Sequence, residues 1–293
     1  MKIVAGAALL TIIGSLALQP VHAAGAKVTI VAAENFYGDV ASQIGGDLVS
    51  VESIMSNPDQ DPHLFETTSS IVRQTGAAQI VIYNGADYDP WMAKLLKSVP
   101  NPKRVVINVA ELVGKKPGDN PHLWYDPPTM PKVAQALADV LSKADPSHRS
   151  AYAVRLKTFM ASLKPVSEKI GAIASKHAGV PVTASEPVFG YMAAALKLTM
   201  RNEPFQIAIM NDTEPSARDV AAFQDDLKSH KVKVMFYNKQ ASDKIVQTLV
   251  GIAHQSNVPV VGVTETEPAG MTYQTWMLSE LNDTAAALAG QTQ

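Results

Sequence analysis

The chain has 293 residues, 46% hydrophobic and 18% charged, with a formal net charge of −2 that becomes about −3 without Lys2. This composition suits a folded globular protein and argues against a nucleic-acid or anionic-membrane role. There is no cysteine, so disulfides, thiolate metal ligands and a lipid-bearing cysteine after the leader are all excluded from the expectation.

Residues 1–23 read as a secretory signal peptide. Lys2 is followed by an almost wholly apolar run from Ile3 to Leu18, and Val21-His22-Ala23 forms a small-residue cleavage signature. The apolar run is short for a membrane span, so cleavage after Ala23 and export are expected, with a bacterial periplasm the natural compartment. The remaining chain of about 270 residues is enough for one large domain or two lobes with sizeable cores.

Residues 24–145 alternate between strand and helix patterns. Lys27 to Ala33, Val49 to Ile54, Gln79 to Tyr83 and Val105 to Val109 read as strands. Helical patterns fall near Phe36 to Ile44, Ser69 to Thr75, Trp91 to Leu96 and Met130 to Lys143. Such alternation implies a parallel sheet covered on both faces.

Residues 146–178 then read as one long linking helix, roughly 50 Å at 1.5 Å per residue. Asp145 suits the N-cap, Pro146 the first position, and Gly179-Val180-Pro181 is a stop. Tyr152, Leu156, Phe159, Leu163, Val166, Ile170 and Ile173 keep one apolar stripe. Pro165 should kink it, and two shorter helices broken at Lys164-Pro165 are the alternative.

Residues 179–293 resume the alternation. Strands are expected at Val182 to Ala184, Phe205 to Ile209, Val232 to Phe236 and Val260 to Val263. Helices are expected at Gly190 to Leu196, Ala217 to Leu227, Asp243 to His254 and Tyr273 to Leu288. The fold class is therefore α/β: two lobes, each a mainly parallel sheet flanked by helices, joined by one long helix. Ligands of such sheets bind beyond the carboxyl ends of the strands, here in the cleft between lobes.

Two segments of the first lobe resemble each other: Asp61-Pro62-His63-Leu64-Phe65-Glu66 and Asn120-Pro121-His122-Leu123-Trp124-Tyr125. In each, a proline fixes the backbone before a histidine, and imidazole is the commonest protein metal ligand near neutral pH. His148, His177, His230 and His254 sit on helical patterns and read as solvated. The second lobe offers Glu186 after one strand and Glu265 after another, with Glu267 a rival two residues on. A helix N-terminus carboxylate is the bland reading of each. Together, two imidazoles and two carboxylates make a plausible site for a divalent transition metal.

The leader, the paired lobes, the crossing helix, Asp61-Pro62-His63, Asn84-Gly85 with Trp91, Asn120-Pro121-His122-Leu123-Trp124-Tyr125-Asp126-Pro127 and Phe189-Gly190-Tyr191 together resemble the zinc/manganese-binding solute receptors of bacterial ABC transporters, the cluster A-I or ZnuA/TroA-like family. The resemblance covers essentially the whole mature chain. It implies a metal held between the lobes by His63, His122, Glu186 and Glu265. Two departures stand out: the third position is often histidine in zinc receptors, and the fourth is commonly aspartate. With no His-rich loop and more oxygen donors, Mn2+ or Fe2+ is favoured as the transported ligand, with Zn2+ admitted.

The expectation is a non-enzymatic, monomeric receptor that hands metal to an inner-membrane permease, without an organic cofactor or nucleic acid. Two alternatives remain open: an exported metal-dependent hydrolase, and a receptor for an organic solute whose cleft Tyr83, Trp91, Trp124 and Tyr191 would line. No HExxH or GxSxG motif supports the first. A helical link packed on both lobes also predicts little change of lobe angle on binding.

Overall fold

The computed structural model describes residues 26–57, 65, 67–240 and 243–290. The expected leader at 1–23 and the His63 turn lie outside the described residues. In the first lobe the order is β1 (Val28–Glu34), α1 (Asn35–Gly45), β2 (Val49–Met55), α2 (Ser69–Ala77), β3 (Ile80–Tyr83), α3 (Pro90–Ser98), β4 (Val105–Asn108), α4 (Val109–Val113) and α5 (Thr129–Ala144). Among the described residues the strands form one parallel sheet in the order β2-β1-β3-β4, with Val28 opposite Val49, Ile30 opposite Ile80 and Ile82 opposite Ile107. β1 is buried at all but one position, as a central parallel strand covered on both faces must be.

The segment expected as one helix is a 3-10 turn at Pro146–His148 followed by α6 (Arg149–Ser162) and α7 (Lys164–His177). This corrects the single-helix expectation in favour of its alternative. The break falls at Leu163 (φ −79°, ψ −12°). Pro165 has no N–H to return to the preceding turn, so the helix restarts there. The apolar stripe nonetheless survives the break. Tyr152, Phe159, Val166 and Ile173 are buried, and Leu156, Leu163 and Ile170 pack partly buried against the same core. α6 lies on α1 and α5, where the Arg155 guanidinium donates to the Gly45 carbonyl (2.8 Å) and pairs with Asp47 (2.6 Å).

The second lobe comprises β5 (Pro181–Ala184), α8 (Gly190–Ala195), β6 (Thr199–Arg201), α9 (Glu203–Met210), α10 (Ala217–Lys228), β7 (Met235–Asn238), α11 (Lys244–Gln255), β8 (Val260–Val263) and α12 (Tyr273–Leu288). Its sheet is again parallel, in the order β6-β5-β7-β8. α7 packs on α12. The strand expected at Phe205–Ile209 is helix α9, and β6 was not anticipated. A strand would set Phe205, Ile207 and Ile209 on one face. Instead Phe205 and Ile209 are buried four residues apart while Ile207 is 49% exposed, which is helical spacing, and Pro204 occupies the first turn.

One continuous apolar cluster runs through both lobes, from Ile30, Ile82 and Trp124 through Phe159 to Phe189, Phe236 and Trp276. Among the described residues no helix is long and apolar enough to cross a membrane.

Candidate metal centre

The two sheets share one strand order, so each has a switch point beside its second-listed strand, between β1 and β3 and between β5 and β7. The loops leaving these carboxyl ends meet across the lobes. The Asn120 side-chain amide donates to the Pro187 carbonyl (2.7 Å), the Tyr191 hydroxyl to the Asn120 carbonyl (2.9 Å), and the Tyr125 hydroxyl to the Thr264 carbonyl (2.8 Å). That is where a ligand site belongs in this kind of sheet.

His122 is fully buried, in the loop between α4 and α5, just before a 3-10 turn at Leu123–Tyr125. Its backbone N–H donates to Asn120 Oδ1 (3.1 Å), and its Nδ1 lies 2.6 Å from the same oxygen. The Trp124 ring packs against the imidazole at 5.3 Å between centroids. The loop is anchored from β3: Asn84 Nδ2 donates to the Pro121 carbonyl (2.8 Å) while Asn84 Oδ1 accepts from the Tyr37 hydroxyl (2.6 Å). Gly85 turns the chain there at φ +75°, and a Cβ would stand 2.3 Å from Asn108 Oδ1, so this turn requires glycine.

Glu186 and Glu265 are both buried, following β5 and β8 respectively. Asn238, at the end of β7, spends both amide protons on them: Nδ2 reaches Glu186 Oε1 at 3.1 Å and Glu265 Oε1 at 2.7 Å. Glu265 Oε2 lies 3.6 Å from His122 Nε2, a nitrogen that makes no hydrogen bond among the described residues. A buried imidazole nitrogen without a hydrogen bond among the described residues, facing a buried carboxylate, is a costly arrangement for a merely structural cluster.

The rival, Glu267, is tied to the first lobe through its backbone. Its backbone N–H donates to Asn35 Oδ1 (3.0 Å) and its carbonyl accepts from Asn35 Nδ2 (2.7 Å). Burial, with the Asp39 carboxylate adding to it, pushes its carboxyl up to about 9. Of the four residues singled out in sequence, His122 and Glu265 touch, Glu186 joins them through Asn238, and His63 lies outside the described residues. Among the described residues no three His, Cys, Asp or Glu side chains gather closely enough to hold an ion.

The residues missed in sequence are the supports. Asn238 had a signal: a Tyr-Asn pair closes or directly follows the third strand of each lobe, Tyr83-Asn84 and Tyr237-Asn238. Tyr88, buried with its ring edge-on to His122, has its phenol pushed up by burial and then by the Glu265 and Glu34 charges. Behind it, Asp89 accepts the N–H groups of Asn84 (2.7 Å) and Gly85 (2.8 Å). Burial and the neighbouring Asp89 hold the Glu34 carboxyl well above the usual range. Below the cleft, Glu280 Oε1 accepts from Tyr125 (2.9 Å), Trp276 Nε1 (2.8 Å) and the Thr264 N–H (3.3 Å), and burial pushes this carboxyl up to about 8. A cavity of about 650 Å3 is lined by Asn120 together with Tyr191, Met200, Glu203, Ile207 and Met210.

Imidazole nitrogen with carboxylate oxygen and no thiolate is a borderline-to-hard donor set, suited to Mn2+, Fe2+ or Zn2+. A family model described as zinc-uptake complex component A, periplasmic, matches residues 30–287. The metal ABC transporter substrate-binding lipoprotein SloC of Streptococcus mutans is 24% identical over 96% of this chain and 96% of its own length. The manganese ABC transporter substrate-binding lipoprotein PsaA of Streptococcus mitis is 23% identical over 91% of each chain. The periplasmic zinc binding protein TroA of Treponema pallidum superposes with a TM-score of 0.75 at 20% identity, covering 90% of this chain and 99% of that one.

Proposed function

Because the chain belongs to the ZnuA family of periplasmic zinc-uptake components, we propose that it captures a divalent transition metal between its lobes and delivers it to an ABC permease in the membrane. The family consists of transport binding components, not enzymes, and the reading needs no bond-making step. The observation that carries it is the buried contact between His122 Nε2 and Glu265 Oε2, with Glu186 held to the same spot by Asn238. His63, His122, Glu186 and Glu265 are the proposed ligands, one from each of four loops. Four protein donors close the sphere and leave no position for an activated water.

Relatives named for manganese and for zinc both occur. The carboxylate-rich set favours Mn2+ or Fe2+ as cargo, while the general affinity order lets Zn2+ compete in vitro. The family description together with the leader-like 1–23 supports a periplasmic location. The relatives SloC and PsaA are named lipoproteins, whereas this chain contains no cysteine. The organic-solute reading has less support: Trp124, a candidate to line such a cleft, is fully buried against Phe36.

Elemental analysis of the protein purified from its own periplasm, joined to competition among Mn2+, Fe2+ and Zn2+, tests the proposal. One bound Mn or Fe per chain agrees with it; metal-free protein that also fails to take up any of the three in titration contradicts it.

A further inference from the structure

Asn120 is fixed in orientation by partners that cannot themselves flip. Its Oδ1 faces the His122 backbone N–H at 3.1 Å, a group that can only donate. Its Nδ2 faces the Pro187 carbonyl at 2.7 Å, a group that can only accept. The amide therefore cannot be reversed without losing both bonds. The same Oδ1 lies 2.6 Å from His122 Nδ1. An amide oxygen only accepts, so Nδ1 must carry the proton. In the neutral imidazole this leaves Nε2 bare, with its lone pair on the side of Glu265.

Asn120 also bridges the lobes. It belongs to the first, while Pro187 directly follows Glu186 in the second. The Tyr191 hydroxyl, also from the second lobe, holds the Asn120 carbonyl at 2.9 Å. The approach is close: a Cβ on Gly190 would stand 3.0 Å from Asn120 Nδ2. One side chain thus sets the proton position on His122 and ties that loop to the turn carrying Glu186.

We propose that Asn120 is a positioning residue with two separable parts: its oxygen selects the His122 tautomer that presents Nε2 to the metal, and its amide nitrogen latches the His122 loop to the Glu186 turn. The inference rests on the metal-capture reading and names how that site is held in shape. An outer partner on the far nitrogen of a ligating imidazole governs metal affinity by about 10- to 100-fold.

The test uses the full chain as wild type, Asn120→Ala, Asn120→Asp and His122→Ala. Mn2+ titration is one readout. The 15N shifts of the His122 ring in metal-free protein at a fixed neutral pH are the other. Asn120→Ala should bind about 10- to 100-fold more weakly and show Nε2-protonated His122. Asn120→Asp keeps the acceptor and loses the donor. It should restore the Nδ1-protonated ring and most of the affinity, while backbone exchange at residues 185–191 quickens.

Wild-type affinity in Asn120→Ala, with binding lost in His122→Ala, overturns the positioning role and leaves metal capture standing. Equal behaviour of wild type and His122→Ala overturns metal capture at His122 instead. The metal-free ring shifts then decide the tautomer part alone, and a wild-type His122 protonated on Nε2 overturns it.

Discussion

The third strand of each lobe runs into a Tyr-Asn pair, Tyr83-Asn84 at the exit of β3 and Tyr237-Asn238 at the end of β7, yet the two asparagines hold different things. Asn84 donates to a backbone carbonyl, that of Pro121, and accepts from Tyr37. Asn238 donates to two side chains, Glu186 and Glu265. The first lobe therefore fixes a proposed ligand by fixing the chain that carries it. The second holds the proposed ligand carboxylates directly, with a neutral donor on each. Equivalent places in one topology thus hold the proposed nitrogen donor through its backbone on one side and the proposed oxygen donors through their side chains on the other.

Removing the ligands themselves should have the largest effect. His122→Ala, Glu265→Gln and His63→Ala should each weaken Mn2+ binding by about 100-fold or more, roughly 2.7 kcal/mol. Glu267→Gln, whose carboxyl is held protonated by burial and the Asp39 charge, should change it little. Calorimetric titration checks both halves, and a reversed ranking of Glu265 and Glu267 would break the assignment of the fourth ligand.

The asparagines come next. Asn84→Ala strands the buried Tyr37 hydroxyl and the Pro121 carbonyl, a cost of about 1–3 kcal/mol that should be the same with or without metal. Asn238→Ala removes the shared donor from two buried carboxylates at a similar cost, but saturating metal should shrink the deficit because the ion replaces the lost donor. Denaturant unfolding of both variants, with and without Mn2+, measures the difference. Equal metal response would erase the contrast between the lobes.

A third, smaller effect is on pH. Glu280 sits under both loops with its carboxyl raised to about 8 by burial, against about 4.3 for an ordinary glutamate. Above that ordinary value the unfolded chain loses the proton while the folded chain keeps it, so stability falls as pH rises towards about 8 and levels beyond. Glu267, raised to about 9, acts in the same direction. Glu280→Gln should flatten part of this decline in melting temperature between about pH 5 and 8; an unchanged slope would show that Glu280 is already ionised.

The smallest change expected is in shape. One apolar cluster joins the lobes, and α6 and α7 each pack along a neighbouring face despite the break at Leu163. Metal should leave the radius of gyration nearly unchanged and slow hydrogen exchange mainly around His122, Glu186 and Glu265. A marked compaction with exchange changes centred on Leu163–Ser167 would make that break a hinge.

Much of this was legible in sequence: β1, buried at all but one position, reads as an apolar run, and the strand Val260–Val263 and the helix Tyr273–Leu288 match the observed elements residue for residue. Phe205–Ile209 misled because Phe, Ile and Ile at every second place look like a strand, and only the exposure of Ile207 reveals the helix. The break at Leu163 was visible as Pro165, but whether a proline kinks or splits a helix depends on packing beyond it. His122, Glu186 and Glu265 were legible as strand-end or Pro-fixed residues. Their supports were harder to see, since Asn120 reaches Pro187 across 67 residues, Asn238 reaches Glu265 across 27 and Glu186 across 52, and Glu280 reaches Tyr125 across 155.

The most direct test of the account is anomalous diffraction from crystals of the Mn2+-loaded chain, collected at an energy where manganese scatters anomalously. The account predicts one strong anomalous peak between the lobes, within coordination distance of His122 Nε2 and of the Glu186 and Glu265 carboxylates, with His63 completing the set. A peak that touches Glu267 in place of Glu265, or that lies away from His122 altogether, would contradict it.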